Sequence, residues 1–176
     1  MKSNEYEFTT LWRVRSTCQE VSDILSNAPD LVRWWPSVYL DVQEIEPGDK
    51  NGIGKLVKLY TKGGLPYTLR WQFRVTANRQ PHGFSLEAWG DFVGTGDWYF
   101  IQDGPWVVIF YVWRIRAEKP LLRLLSFLLK PIFSANHHWA MRKGEDSLKL
   151  ELARRRARSA RDWKAIPPPP GRTFTF

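Results

Sequence analysis

Apolar and polar positions alternate along most of the chain up to residue 117, and a helical period takes over only after it. Tyr67, Leu69, Trp71, Phe73 and Val75 share one face of an extended segment, with Thr68, Arg70, Gln72, Arg74 and Thr76 on the other. Val107, Ile109, Tyr111, Trp113 and Ile115 alternate in the same way against Arg114 and Arg116. There the opposite face also holds Trp106, Val108, Phe110 and Val112, so its parity is less sharply set. Strands are predicted over 6–14, 38–45, 53–60, 67–77, 84–89, 96–101 and 106–117. Turn signals at Pro47-Gly48, Asn51-Gly52, Gly63-Gly64, Pro81-His82-Gly83 and Gly104-Pro105 separate them. This regular punctuation argues for consecutive antiparallel strands, and three glycines in 90–96 argue for a bent or bulged sheet.

Helical signals are fewer. Residues 17–26 read as a short helix, with Ser16 or Thr17 as N-cap and Glu20 at capping-box spacing from Thr17. Pro29 opens a second short helix that runs to Trp34 or Trp35 and is stopped by Pro36. A long amphipathic helix is predicted from about 131 to 152. At 100° per residue its stripe is Phe133, His137, Ala140, Met141, Gly144, Leu148 and Leu152, apolar but for one imidazole. Residues 120–131 read as a separate apolar segment. A sheet wrapped around such a stripe is expected to leave an internal space.

Size and composition narrow the classes. A chain of 176 residues fits one domain, placed here at 1–153, with a tail at 154–176. Cys18 is the only cysteine, which excludes an intrachain disulfide and the cysteine-rich zinc patterns. The N-terminal residues lack an apolar h-region, so no signal peptide is expected, and 121–129 falls short of a span. A cytoplasmic location is the expectation. The net charge is +8. The tail holds Arg154, Arg155, Arg156, Arg158, Arg161, Lys164 and Arg172 against Asp162, so +6 of that charge lies outside the domain. Four prolines at 167–170 make polyproline II, and the tail is expected to be mobile from about Arg158. Only Trp163 interleaves the arginines, which argues against a nucleic-acid partner.

The order β-α-α, six further strands and a long terminal helix is that of a helix-grip α+β fold. Residues 32–39 (Val-Arg-Trp-Trp-Pro-Ser-Val-Tyr), 65–71, 90–98 and 136–145 sharpen the match. Over about 5–152 the chain resembles the polyketide cyclase/dehydrase and lipid-transport family of the START-like (SRPBCC) superfamily. The resemblance implies a curved sheet gripping the last helix around a hydrophobic cavity. Members bind sterols, lipids, plant hormones, polyketides or other aromatic molecules, and some catalyse cyclisation or dehydration. No catalytic set is common to the superfamily, so no residue inherits a role.

From the residues themselves, His137 is the sharpest candidate, as a general base or a hydrogen-bonding group inside the grip. Its competing reading is an ordinary core histidine. Tyr67 is the second candidate for moving protons. Trp34, Trp35, Tyr67, Trp71, Phe73, Tyr111, Phe133, His137 and Met141 are the candidate ligand contacts, with plain core packing as the alternative for each. Asn136 and His138 flank His137. Adjacent histidines on a helix cannot face one ion, so no metal site is expected, and no cofactor motif is present. Glu87, Asp91 and Asp97 read as solvent-facing, His82 as a turn residue. Three readings stay open. The first is a binder of an apolar or aromatic molecule, the second a cyclase/dehydratase-type enzyme using the same cavity. The third is a peripheral protein whose 121–129 segment and basic tail meet anionic lipid or a partner. Edge strands also allow a homodimer.

Overall fold

The computed structural model describes residues 4–174, the side chains of 121–129 excepted. Seven strands make one antiparallel sheet: β1 (Glu5–Arg15), β2 (Tyr39–Glu46), β3 (Leu56–Lys62), β4 (Thr68–Asn78), β5 (Gly83–Gly90), β6 (Phe92–Asp103) and β7 (Trp106–Ala117). Their spatial order is β1-β7-β6-β5-β4-β3-β2. After the first strand the chain is therefore a meander. β1 returns to pair with β7 along its whole length, from Glu5 opposite Arg116 to Arg15 opposite Trp106. Register shifts in the β2–β3 and β4–β5 pairs bend the sheet.

Between β1 and β2 lie α1 (Cys18–Leu25), a 3-10 turn (Ala28–Asp30) and α2 (Leu31–Trp34). Thr17 caps α1 as expected: Glu20 N–H donates to its hydroxyl at 3.2 Å, while Thr17 N–H donates to the Glu20 carboxylate at 3.0 Å. The terminal helix differs from expectation. α3 runs without a break from Pro120 to Arg156, through Pro131. Pro131 sits on an exposed face, where solvent can take over the one backbone hydrogen bond that proline cannot make. The segment at 120–131 is thus the first three turns of α3 and not a separate element.

The inner layer is filled at one end. Trp12, Val14, Val21, Ile24, Phe100, Val107, Ile109 and Leu148 are buried to 2 % exposure or less, between the sheet, α1 and the second half of α3. Ion pairs fasten this end. Glu151, 1 % exposed, accepts from Arg33 Nη1 and Nη2 at 2.9 and 2.6 Å and from Arg155 Nε at 2.9 Å. Arg33 also donates to Asp30, and Arg156 to Glu20. Arg156 of the basic run therefore clamps α3 to α1 through Glu20, and Arg33 clamps α2 to α3 through Glu151.

α4 (Ala160–Ala165) follows α3, capped by the Ser159 hydroxyl, and the chain then folds back along the body. Arg172 Nε donates to the Pro36 carbonyl and the Thr173 hydroxyl to the Gly64 carbonyl, each at 3.3 Å. Four prolines lose little conformational freedom on docking, which lowers the cost of ordering this segment.

Candidate functional site

Inward parity of β4 and β7 is as the alternation predicts, and it puts two ranks of aromatic side chains under α3. Phe73 and Leu86 point in from β4 and β5, Trp98 from β6, Tyr111 and Trp113 from β7. Trp98 stacks on Tyr111 with centroids 4.0 Å apart and planes at 16°, and Tyr111 stacks in turn against Trp113 at 5.6 Å. Gly96 makes this stack possible, because a Cβ there would lie 2.9 Å from the Trp113 ring. The indole N–H of Trp71 donates to the Thr61 hydroxyl at 3.0 Å, which fixes its plane.

These aromatics do not fill the space. A cavity of about 190 Å³ lies between the sheet and α3, walled by Trp35, Trp71, Phe73, Trp98, Tyr111 and Met141. A second lobe of about 150 Å³ lies toward the start of α3, walled by Phe8, Tyr67, Leu69, Phe133 and Asn136. Val38, Thr61, Phe92, Trp113, His137 and Ala140 belong to both, so they form the waist.

His137 holds the centre of that waist. Its ring stacks on Phe8 at 4.0 Å and 16°. Its Nε2 is buried and has no hydrogen-bond partner. Burial, with a smaller contribution from His138 beside it, pushes its pKa down to about 3, so the imidazole is neutral at physiological pH. A neutral ring with a vacant, desolvated nitrogen is a strong site for one hydrogen bond from a guest.

Tyr67 is placed by Asn136, which the sequence offered only as a flanking residue. Asn136 Nδ2 donates to the Tyr67 hydroxyl at 3.2 Å, and its Oδ1 accepts from Gly64 N–H at 2.7 Å and Leu65 N–H at 3.2 Å. One amide thus ties the β3–β4 turn to α3. Gly63 passes so close to this amide that a Cβ would collide with it. Burial lifts the Tyr67 phenol to about 12. Burial also raises Tyr39 and Tyr111, so the phenols lining the two lobes are neutral donors. Asn136→Ala strands two backbone N–H groups and should cost about 1 kcal/mol in urea unfolding, with greater exposure of the Tyr67 ring.

Of the candidate contacts, Trp35, Trp71, Phe73, Tyr111 and Met141 wall the larger lobe, Tyr67 and Phe133 the smaller, and His137 both. Trp34 does not reach either lobe. It is fully buried beside Trp35, centroids 5.6 Å apart, and belongs to the packing beneath the site. His138 lies on the exposed flank, its Nδ1 2.6 Å from the Ser134 carbonyl. The carboxylates stay outside: Glu87 is exposed, Asp91 accepts from Arg70 N–H at 2.8 Å, and Asp97 accepts from the Ser85 hydroxyl at 2.6 Å. Trp98, Trp113 and Phe92 were not among the predicted contacts. The alternation of β7 pointed to Trp113, but only the β6–β7 register sets Trp98 on Tyr111. Among the described residues no three metal-binding side chains cluster, and no helix is long and apolar enough to cross a membrane.

No family model and no curated protein matches the sequence. Solved structures do match the fold. The Zhui aromatase/cyclase from Streptomyces sp. R1128 superposes with a TM-score of 0.67 at 12% identity, over 89% of this chain and 98% of that one. A START superfamily protein from Mycobacterium smegmatis gives 0.62 at 11% identity, over 81% and 98%. The di-domain ARO/CYC BexL of the BE-7585A biosynthetic pathway gives 0.62 at 14% identity over 84% of this chain, which spans 51% of that protein. At such identities the likeness is one of fold.

Proposed function

We propose that this chain, which has the START-like helix-grip fold, binds a flat, largely apolar aromatic molecule between the sheet and α3 and turns one polar group of it to His137. The observation that carries this reading is the buried, unpartnered Nε2 at the waist of a cavity whose walls are mainly aromatic and aliphatic side chains. Stacked indole and phenol faces suit a flat guest, and a single polar anchor orients it. Storage, transfer or sensing of such a molecule all follow from this chemistry.

The second reading, an enzyme of the cyclase or dehydratase type, is supported by the aromatase/cyclase names among the structural neighbours. Its cavity would act mainly by holding a flexible substrate folded. The proton chemistry favours binding: an imidazole near 3 is a weak base at neutral pH, and a phenol near 12 is a weak acid.

Titration with the dye anilinonaphthalene sulfonate tests the site. Ala140 belongs to both lobes, so Ala140→Trp should fill the waist. Wild type is expected to bind one dye per chain in a buried, fluorescent environment, and Ala140→Trp to weaken that binding by about 100-fold, roughly one buried aromatic's worth of lost contact. Equal binding by both proteins would put the dye on the surface and refute the cavity.

A further inference from the structure

We propose that the outer face of α3 over its first five turns, from Leu121 to Trp139, docks on an anionic lipid surface and so sets the smaller lobe beside a bilayer. This goes beyond the binding reading above and does not depend on it.

His137, Ala140 and Met141 turn to the cavity, yet the opposite face of these turns is not polar. Ile132, Ala135 and Trp139 lie about 140° or more around the helix from His137. Ile132 is 47% exposed, and Pro131 and Ala135 are exposed beside it. The backbone runs as unbroken helix back to Pro120, so Leu121, Leu124 and Leu128 fall at the same register. An apolar register of this length extends ~28 Å along the axis, which is more than the scattered apolar residues of an ordinary surface helix. Trp139 ends it, half-buried, with its ring over the β3–β4 turn, where a Cβ on Gly64 would lie 3.2 Å away. An amphipathic ring at that position suits the boundary between lipid and water.

Charge selects the occupant. From Pro120 to Gly144 the helix carries Arg123, Lys130, Arg142 and Lys143 and no Asp or Glu. The carboxylates at either end have cations beside them: Asp91 meets Lys119, Glu118 meets Arg116, and Glu145 meets Lys149. Asp146 follows one turn after Arg142 and closes the basic stretch. Leucines and a tryptophan among cations make a face that headgroup phosphates attract and acyl chains hold. A second copy is the poorer fit, because a two-fold contact would set these like charges against one another. Arg155 and Arg156 serve elsewhere, on Glu151 and Glu20. Position then ties the face to the cavity. Lys119 Nζ donates to the Thr68 carbonyl at 2.7 Å and Lys130 Nζ to the Glu5 carbonyl at 2.8 Å. The first turns of α3 therefore cross the end of the sheet where β1 and β4 begin. Tyr6, Tyr67 and Phe133 wall the smaller lobe there, so a bilayer on the outer face lies one helix thickness, ~10 Å, from it.

Flotation of the full chain on vesicles tests this, with phosphatidylcholine alone and with about 30% phosphatidylserine added. The anionic lipid is expected to raise the partition coefficient about 100-fold at low salt, and ~0.5 M salt to remove most of that gain. On the anionic vesicles Ile132→Glu/Ala135→Glu should weaken binding more than about tenfold, and Arg142→Ala/Lys143→Ala about tenfold. Both pairs lie outside the buried core, and unchanged thermal melting shows that each variant folds. Arg158→Ala/Arg161→Ala, on the tail, should float as wild type does. No gain from phosphatidylserine, or binding that only the tail variant removes, would overturn the docking face. So would a dimer, formed in place of flotation, that Ile132→Glu/Ala135→Glu dissociates. Ala140→Trp fills the cavity and leaves the outer face untouched, so it should float as wild type does. Flotation without dye binding would keep the docking face and refute the cavity, and dye binding without flotation would do the reverse.

Discussion

Gly144→Ala will destabilise the protein by about 2 kcal/mol, although alanine is the better helix former by about 1 kcal/mol. Gly144 is buried in the middle of α3, where a Cβ would run into the six-membered ring of Trp35. That ring has nowhere to go. It is 2 % exposed and is held edge-on by Trp12 at 5.6 Å and Tyr39 at 5.2 Å, with Trp34 tilted against it at 5.6 Å. A flexible neighbour would yield at little cost, but a clamped indole forces backbone movement. For a chain of this size the melting temperature should fall by about 4–8 °C. Because Trp35 also walls the larger lobe, dye affinity should weaken in the same variant. Gly171→Ala is the matched control: nothing lies within 4 Å of its Cβ, so it should stay within about 0.5 kcal/mol of wild type.

Acidification from pH 6.5 to 4.5 will cost about 2 kcal/mol of stability, and His137→Phe will abolish most of that loss. In the unfolded chain the imidazole takes a proton near its ordinary 6.5, whereas in the fold it resists protonation down to about 3. Between these values the unfolded state binds more protons, so stability falls with pH, by up to about 1.4 kcal/mol per unit. The clamped carboxylates act in a lower window. Glu20 is held at about 2 against an ordinary 4.5, mainly by its hydrogen bond from Arg156. The Asp30 carboxyl is lowered chiefly by its hydrogen bond from Arg33. Glu151 is lowered by Arg33 and Arg155 against the opposing effect of burial. Each of the three stabilises the fold above its unfolded value and loses that contribution only as pH falls toward its folded one. The window above 4.5 therefore reports His137. Phenylalanine keeps the stack on Phe8 and removes the titration. Urea unfolding across this range gives the slope directly, and an unchanged slope in His137→Phe would assign the acid-sensitive group elsewhere.

Much of the fold was legible because its signals are local. Alternation set the parity of β4 and β7, glycine and proline set the turns, and Thr17 with Glu20 set the start of α1. The helix stripe pointed at His137, Ala140 and Met141, which do line the cavity. The same stripe passed over Glu151, which is buried, since a hydrophobic period has no place for a polar residue satisfied from another helix. Arg33 and Glu151 are 118 residues apart, and nothing local announces that they meet. Trp34 shows the converse limit. Neighbouring aromatics on a short helix look equivalent in sequence, yet only Trp35 faces the cavity. The course of the tail was illegible for a related reason. Arginines and prolines read as solvated, whereas Arg154 and Arg172 meet backbone carbonyls, which carry no sequence signal.

The central claim is that the space beneath α3 holds a flat aromatic guest. Native mass spectrometry of wild type and Ala140→Trp, each purified from the protein's own host, tests it most directly. The account predicts a stoichiometric adduct on wild type that organic extraction recovers as an aromatic, largely apolar compound, and its loss from Ala140→Trp. A bare polypeptide mass for wild type, together with dye binding that Ala140→Trp does not alter, would contradict it.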